Sequence, residues 1–243
     1  FSEEGKLLGK SEIPTRWQQG KDTVLQEIAA EVRRLAIQFS LSLPQCGIGF
    51  GIPGPVNEKG YAGALVNLNM YDFFPGRELS ALLDGIPVAA ANDANIAALG
   101  EMWQGGGKGY QSLLFVALGT GVGGGVVLDG KILPGARGLA GEIGHIWVNP
   151  EEPELCSCGG RGCLNQIASA TGIVLNAKRF LEKSSEPSSL SKIAELTAKD
   201  VLDAAKAGDA VAVQTVDYCM GFLGKMIADV SYVIDPQAVV VGG

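Results

Sequence analysis

The chain has 243 residues, of which 47% are hydrophobic and 19% charged, with a formal net charge of −7. That is long and apolar enough to bury a sizeable core, and it lacks the composition of a disordered segment. The acidic balance, with no basic stripe, argues against a nucleic-acid partner and against an anionic membrane surface. It leaves small anions to backbone N–H groups.

No secretory leader is visible, and the most apolar run, residues 113–128, is too short and too rich in glycine to cross a bilayer, so the cytoplasm is the expected location. Residues 1–9 read as a hairpin turn already under way, and residues 239–243 as a buried strand running into a glycine turn. The sequence is therefore expected to be a piece cut at both ends. Residues 6–12 predict a strand. Residues 21–39 carry Val24, Ile28, Val32, Leu35 and Phe39 at helical spacing and predict an amphipathic helix. Residues 46–52 predict a strand ending in the Pro53-Gly54-Pro55 turn, and residues 87–91 another. Asn92-Asp93-Ala94-Asn95 then opens a helix reaching Trp103.

The glycine-rich stretch 105–109 is the expected lobe boundary, giving an N-terminal lobe 1–108 and a C-terminal lobe 109–243. Residues 112–118 predict a buried strand, and residues 126–133 a hairpin about the Asp129-Gly130 turn. Three helices are expected over 165–181, 188–207 and 209–234, the last capped by Asp209 and stopped before Pro236. Strands alternating with helices make the class α/β.

Two segments match G-x-G-x-x-G, at Gly49, Gly51 and Gly54 and at Gly119, Gly121 and Gly124. Neither is followed by the helix that a dinucleotide fold requires, nor by the Gly-Lys-Ser/Thr of a Walker loop. The run Gly119-Thr120-Gly121-Val122-Gly123-Gly124-Gly125 has more glycines than a tight turn needs. Bare N–H groups with room for close approach suit a phosphate cradle.

His145 is the sole histidine, and Cys156, Cys158 and Cys163 follow it within a glycine-rich loop. Three thiolates and an imidazole form a closed tetrahedral set suited to structural zinc. Cys46 and Cys219 lie on apolar segments and read as core residues. Asp93 reads as a cap or as a general base. Glu142, three residues before His145, reads as a surface carboxylate or as part of a site.

Together these motifs resemble the ROK family of sugar kinases. The glycine run continuing to Pro134-Gly135, Glu142-Ile143-Gly144-His145, and Cys156-x-Cys158-Gly159-x-x-Gly162-Cys163 carry the resemblance, supported by Gly49–Pro55 and Asn92–Asn95. Residues 167–173 and the last helix look most like bacterial glucokinases of that family.

The resemblance implies a two-lobed actin-like ATPase (ribonuclease H-like) fold that phosphorylates a hexose, glucose first, at its 6-hydroxyl with MgATP. By the same resemblance Asp93 is the base, and Asn67, Asn92, Glu142 and His145 contact sugar. Gly119, Thr120, Gly121, Gly123 and Gly124 cradle ATP phosphates, and His145, Cys156, Cys158 and Cys163 hold zinc. A dimer or tetramer is implied too.

Two departures stand out. The family's opening D-x-G-G-T loop has no counterpart in the sequence, nor has its final helical region. The family's sugar-contacting Glu, two residues after the third cysteine, is here Asn165. Asn165 is expected to touch the sugar with altered hydroxyl selectivity. A sugar-sensing ROK repressor, a non-catalytic sugar-binding remnant, and kinases for N-acetylmannosamine, fructose or allose are the alternatives.

Overall fold

The computed structural model describes residues 1–65 and 68–243. They divide into two compact units, Phe1–Gln111 with Gly125–Ala140, and Ser112–Gly124 with Gly141–Gly243. The expectation of one crossing between residues 108 and 109 gives way to an exchange of segments. The strand that follows the glycine loop starts in one unit and finishes in the other.

In the first unit, helix α1 (Lys21–Gln38) buries Val24, Leu25, Ala29 and Ala36; of the expected stripe only Val24 is buried, with Ile28, Val32, Leu35 and Phe39 half-buried beside it. Strand β1 (Ile48–Ile52) pairs in parallel with β4 (Val88–Asn92), aligning Ile48 with Val88 and Ile52 with Asn92. Between them lie an antiparallel hairpin, β2 (Ala62–Leu65) with β3 (Met70–Phe73), and helix α2 (Pro75–Leu82). Proline at the start of α2 suits a position whose N–H has no helical partner. Gly76 lets α2 approach β4 closely, since a β-carbon there would stand 2.8 Å from the Val88 carbonyl oxygen. Leu25 and Ala29 of α1 form a core with Leu79, Leu83 and Ile86. A second core joins Val24 and Ile52 to Val56, Ala62, Leu65, Met70 and Phe73.

Helix α3 (Asp93–Gln104) follows β4 directly. Strand β6 (Val122–Leu128) turns into β7 (Lys131–Ile132), pairing Val127 with Ile132. Asp129 and Gly130 both take positive φ, 50° and 75°, as a two-residue hairpin turn demands.

In the second unit, β5 (Leu113–Leu118) pairs in parallel with β8 (Ala238–Gly242), from Leu113 opposite Ala238 to Ala117 opposite Gly242. Helices α4 (Asn165–Ala168), α5 (Ala170–Lys183), α6 (Ala198–Lys206) and α7 (Ala210–Ile234) pack around Ile167, Ile173, Ala177, Leu190, Val201, Ala212 and Cys219. Ser169 caps α5, a Thr197–Asp200 capping box opens α6, and Asp209 caps α7. Asp235 ends α7 in the left-handed region at φ 44°, just before Pro236.

Several expectations are corrected. Residues 6–12 form no strand, for no described strand lies alongside to complete its ladder, and most of the segment is exposed. The helix expected over 165–181 breaks at Ser169, whose extended ψ of 163° turns its hydroxyl onto the Gly172 N–H and starts a new helix. Of residues 188–207, only 189–192 (a 3-10 turn) and α6 are helical. The β2–β3 hairpin and α2 were not foreseen.

Candidate active site and metal centre

The glycine run has two parts with different causes. Gly124 and Gly125 are buried within β6. A β-carbon at Gly124 would stand 2.6 Å from Ile143 Cγ1 and 2.7 Å from the Gly141 oxygen. At Gly125 it would stand 2.7 Å from Ala98 Cβ. Packing alone therefore requires both glycines, whatever the loop binds.

The tip is different. Gly119, Thr120 and Gly121 are exposed, and a β-carbon at Gly119 would meet nothing nearer than the Gly121 oxygen at 4.0 Å. Internal packing gives no reason for glycine at 119. The tip is nevertheless well held. Gly119 N–H donates to the Gly121 oxygen at 2.9 Å, and Ala170 N–H donates to the Gly119 oxygen at 2.9 Å. Thr171 Oγ1 donates to the Thr120 oxygen at 3.1 Å, and Val122 N–H donates to Asn165 Oδ1 at 2.8 Å.

At the start of α3, Asn92 is the cap. Its Oδ1 accepts the Asn95 N–H at 3.1 Å, and its Nδ2 donates to the Gly54 oxygen at 3.4 Å. Asn92 is only 9% exposed, and its amide bonds to the protein at both ends. Asp93, the first helical residue, is thereby released from capping. It is exposed, and its Oδ1 accepts only the neighbouring Ala94 N–H, at 2.8 Å, among the bonds described. Asn67, the further expected sugar contact, lies outside the described residues.

Glu142 and His145 bracket a 3-10 turn, Ile143–His145, in which His145 N–H donates to the Glu142 oxygen at 3.1 Å. Residues three apart in such a turn stand on one side of it, so the spacing read from sequence places both on one face. Gly144 is required by the close approach of Val122, whose oxygen would stand 2.1 Å from a β-carbon.

His145, Cys156, Cys158 and Cys163 come together as expected, with one ligand atom from each lying within 4.8 Å of all the others. Cys156 Sγ is 3.6 Å from His145 Nδ1, and Cys158 Sγ is 3.6 Å from Cys163 Sγ. These are not disulfide distances. They approach the edges of about 3.8 Å between sulfurs around a tetrahedral zinc. Cys158 lies below the ordinary thiol range, chiefly because the Gly160 N–H stabilises its thiolate, whereas burial pushes Cys163 up. A divalent cation would reconcile the pair by holding both as thiolates. The donor set therefore fits zinc.

Gly162 at φ 69° allows the loop to close, since a β-carbon would stand 1.9 Å from the Asn149 oxygen. Cys219 is fully buried, its thiol pushed up to about 12 by that burial, as a core cysteine should be. Cys46 is only half-buried, at the end of a 3-10 turn, and is not a core residue.

The model of the ROK family matches residues 1–243. The chain belongs to the ROK family. It is 42% identical over 244 residues to a glucokinase of Halalkalibacterium halodurans, covering 98% of this chain and 74% of that one. A glucokinase of Thermotoga maritima is 35% identical, over 100% of this chain and 76% of the relative. A ROK glucokinase from Streptomyces griseus, solved with glucose and AMPPNP, superposes with a TM-score of 0.78 at 31% identity, covering 99% of this chain and 77% of that one. A ROK transcriptional regulator reaches 0.79 at 30% identity, with 91% of this chain covering 56% of it. The α/β fold is that of the ROK sugar kinases, consistent with the actin-like ATPase class.

Sequence reasoning missed the residues that brace this ROK site. Arg179 of α5 makes a bidentate bond to Glu152, Nη1 to Oε2 at 2.9 Å and Nη2 to Oε1 at 2.8 Å, and reaches Glu154 Oε1 at 3.0 Å. Glu152 is 3% exposed, and the guanidinium holds its carboxyl below the usual carboxylate range. The pair pins the turn that leads into Cys156. A charged residue on an amphipathic helix reads as solvated face, so nothing in the sequence announced it. Ala170 and Thr171, which hold the glycine tip, are equally silent.

Proposed function

We propose that this ROK protein is an ATP-dependent glucokinase that transfers the γ-phosphoryl group of MgATP to the 6-hydroxyl of glucose. The observation that carries this reading is Asp93, an exposed carboxylate at a helix start whose capping duty Asn92 has taken over. Such a group is available to accept a proton. As the 6-hydroxyl oxygen attacks the γ-phosphorus, its proton passes to Asp93, the bond from that phosphorus to the β–γ bridging oxygen breaks, and ADP leaves. The exposed backbone of Thr120 and Gly121, whose N–H groups have no bond described, would lie against phosphate oxygens, and Mg²⁺ would neutralise charge on the transferred group.

Glu142 and His145 hydrogen-bond sugar hydroxyls. Zinc held by His145, Cys156, Cys158 and Cys163 supplies structural order and no open coordination position. With Nδ1 facing the Cys156 thiol, an ion held there would leave His145 its Nε2–H as a fixed donor. The protein acts in the cytoplasm as a homo-oligomer, dimer or tetramer, without nucleic acid or membrane. No helix among the described residues is long and apolar enough to cross a bilayer.

The test is ADP release by the full-length gene product with MgATP and a panel of hexoses, beside Asp93→Asn. Glucose-dependent turnover that falls by about 10²- to 10⁴-fold in the variant, with glucose still bound, supports the reading. Turnover only with N-acetylmannosamine, fructose or allose would reassign the substrate. Sugar binding with no turnover would favour the repressor reading, which the likeness to a xylose repressor at 30% identity over 81% of this chain keeps in view.

A further inference from the structure

We propose that Asn165 is a positioning residue for the nucleotide rather than a reader of the sugar. It is the latch by which the segment after the third cysteine fixes the glycine tip. The proposal rests on the reading that residues 119–121 receive phosphate.

Val122 N–H can only donate, so the group 2.8 Å away on Asn165 is its oxygen, and the amide is oriented by the loop. A β-carbon at Gly121 would stand 2.9 Å from that same oxygen, so Gly121 is bare because Asn165 lies against it. The contact is one of three. Ala170 holds the Gly119 oxygen and Thr171 the Thr120 oxygen, at 2.9 and 3.1 Å. Every residue from 119 to 122 except Gly121 is thus tied to the seven-residue stretch 165–171, and Gly121 closes the turn on Gly119.

That stretch starts two residues after Cys163. Cys163 N–H donates to Gln166 Oε1 at 3.2 Å, and Leu164 N–H to the Ile146 oxygen at 3.0 Å, next to His145. One short segment therefore carries order from the cysteine loop to the tip. The bond to Val122 turns the Asn165 oxygen toward the tip, the opposite duty from the sugar contact expected of this position.

The experiment compares Asn165→Leu, which keeps shape without hydrogen bonding, with Thr171→Val, which removes the second tie from an exposed position. Calorimetry on the full-length protein gives Kd for MgADP and for glucose separately, and melting and metal content are read alongside. Each variant should weaken MgADP by about three- to tenfold, the worth of one hydrogen bond, with glucose affinity unchanged within about twofold. The KM for MgATP should rise in parallel while that for glucose holds.

Weakened glucose binding with MgADP unaffected in Asn165→Leu would overturn the proposal and return Asn165 to the sugar. If Asn165→Leu does not fold, Thr171→Val alone decides, an unchanged MgADP Kd overturning the latch. Gly119→Val separates the two readings, because its side chain enters open space where phosphate would lie. If it weakens MgADP and the latch variants do not, the latch alone fails. If none of the three does, the phosphate reading fails and takes the latch with it.

Discussion

The cysteine loop and the glycine tip are both short, rich in glycine and outside regular structure, yet they are held in opposite ways. The cysteine loop gathers its four candidate ligand atoms from itself and the preceding 3-10 turn, and its backbone adds bonds such as Cys156 N–H to the Gly160 oxygen at 2.7 Å and Val148 N–H to the Gly162 oxygen at 2.8 Å. The tip has almost nothing of its own. Its ties come from 43 and 51 residues away along the chain. A loop organised by side-chain chemistry can be recognised from its own residues. A loop organised by distant partners cannot.

The comparison breaks most readily at the metal. Chelation, or Cys156→Ser, should release the cysteine loop and lower the melting temperature more than any other change considered. Apparent zinc-binding free energies in small zinc domains are about 10–16 kcal/mol. Elemental analysis should find one zinc per chain before treatment. An unchanged melting curve after its removal would refute a structural role.

Next in size is Arg179→Met. It leaves the buried Glu152 carboxylate unpaired and should cost about 3 kcal/mol in denaturant unfolding. A cost near zero would mean that Glu154 and the turn need no such anchor.

The two halves of the glycine run should then separate. Gly124→Ala drives a methyl group into Ile143 and should destabilise by about 1–3 kcal/mol, whereas Gly119→Ala should change stability by less than about 0.5 kcal/mol. Equal costs at the two positions would erase the distinction between packed strand and open tip.

The smallest expected effect is a pH dependence. Burial works against ionisation of Asp209, but bonds from Ser189, Ala212 and Ser188 prevail and bring it from 3.8 to about 2. A carboxyl depressed in the folded state stabilises above its unfolded value, and that contribution is lost as pH falls from about 4 towards 2. Asp209→Asn keeps the cap without the titration, so its melting temperature should fall less steeply with acid across that window. Identical acid profiles would remove Asp209 from the acid response.

Much of this was legible. The Asp129-Gly130 turn, the Asp209 cap and the gathering of His145 with the three cysteines could be read, because each depends on chemistry carried by a few neighbouring residues. What escaped depends on partners remote in sequence. Whether residues 6–12 become a strand depends on a neighbour to pair with. Whether a serine interrupts a helix depends on where its hydroxyl finds an N–H, and Ser169 found that of Gly172. The excess of glycines in the loop has a mixed origin, packing at Gly124 and Gly125 and exposure at Gly119 and Gly121. Asp93 read as a possible cap, and Asn92 holds that place instead.

Trp147 is 68% exposed, bridges to Cys163, and would stand 2.6 Å from a β-carbon on Gly162. The other two tryptophans, Trp17 and Trp103, belong to the first unit. An indole resting on the backbone of the cysteine loop would make the protein its own optical gauge of whether an ion is held there. Following the emission of a Trp17→Phe, Trp103→Phe variant during chelation would time the departure of the ion without any label.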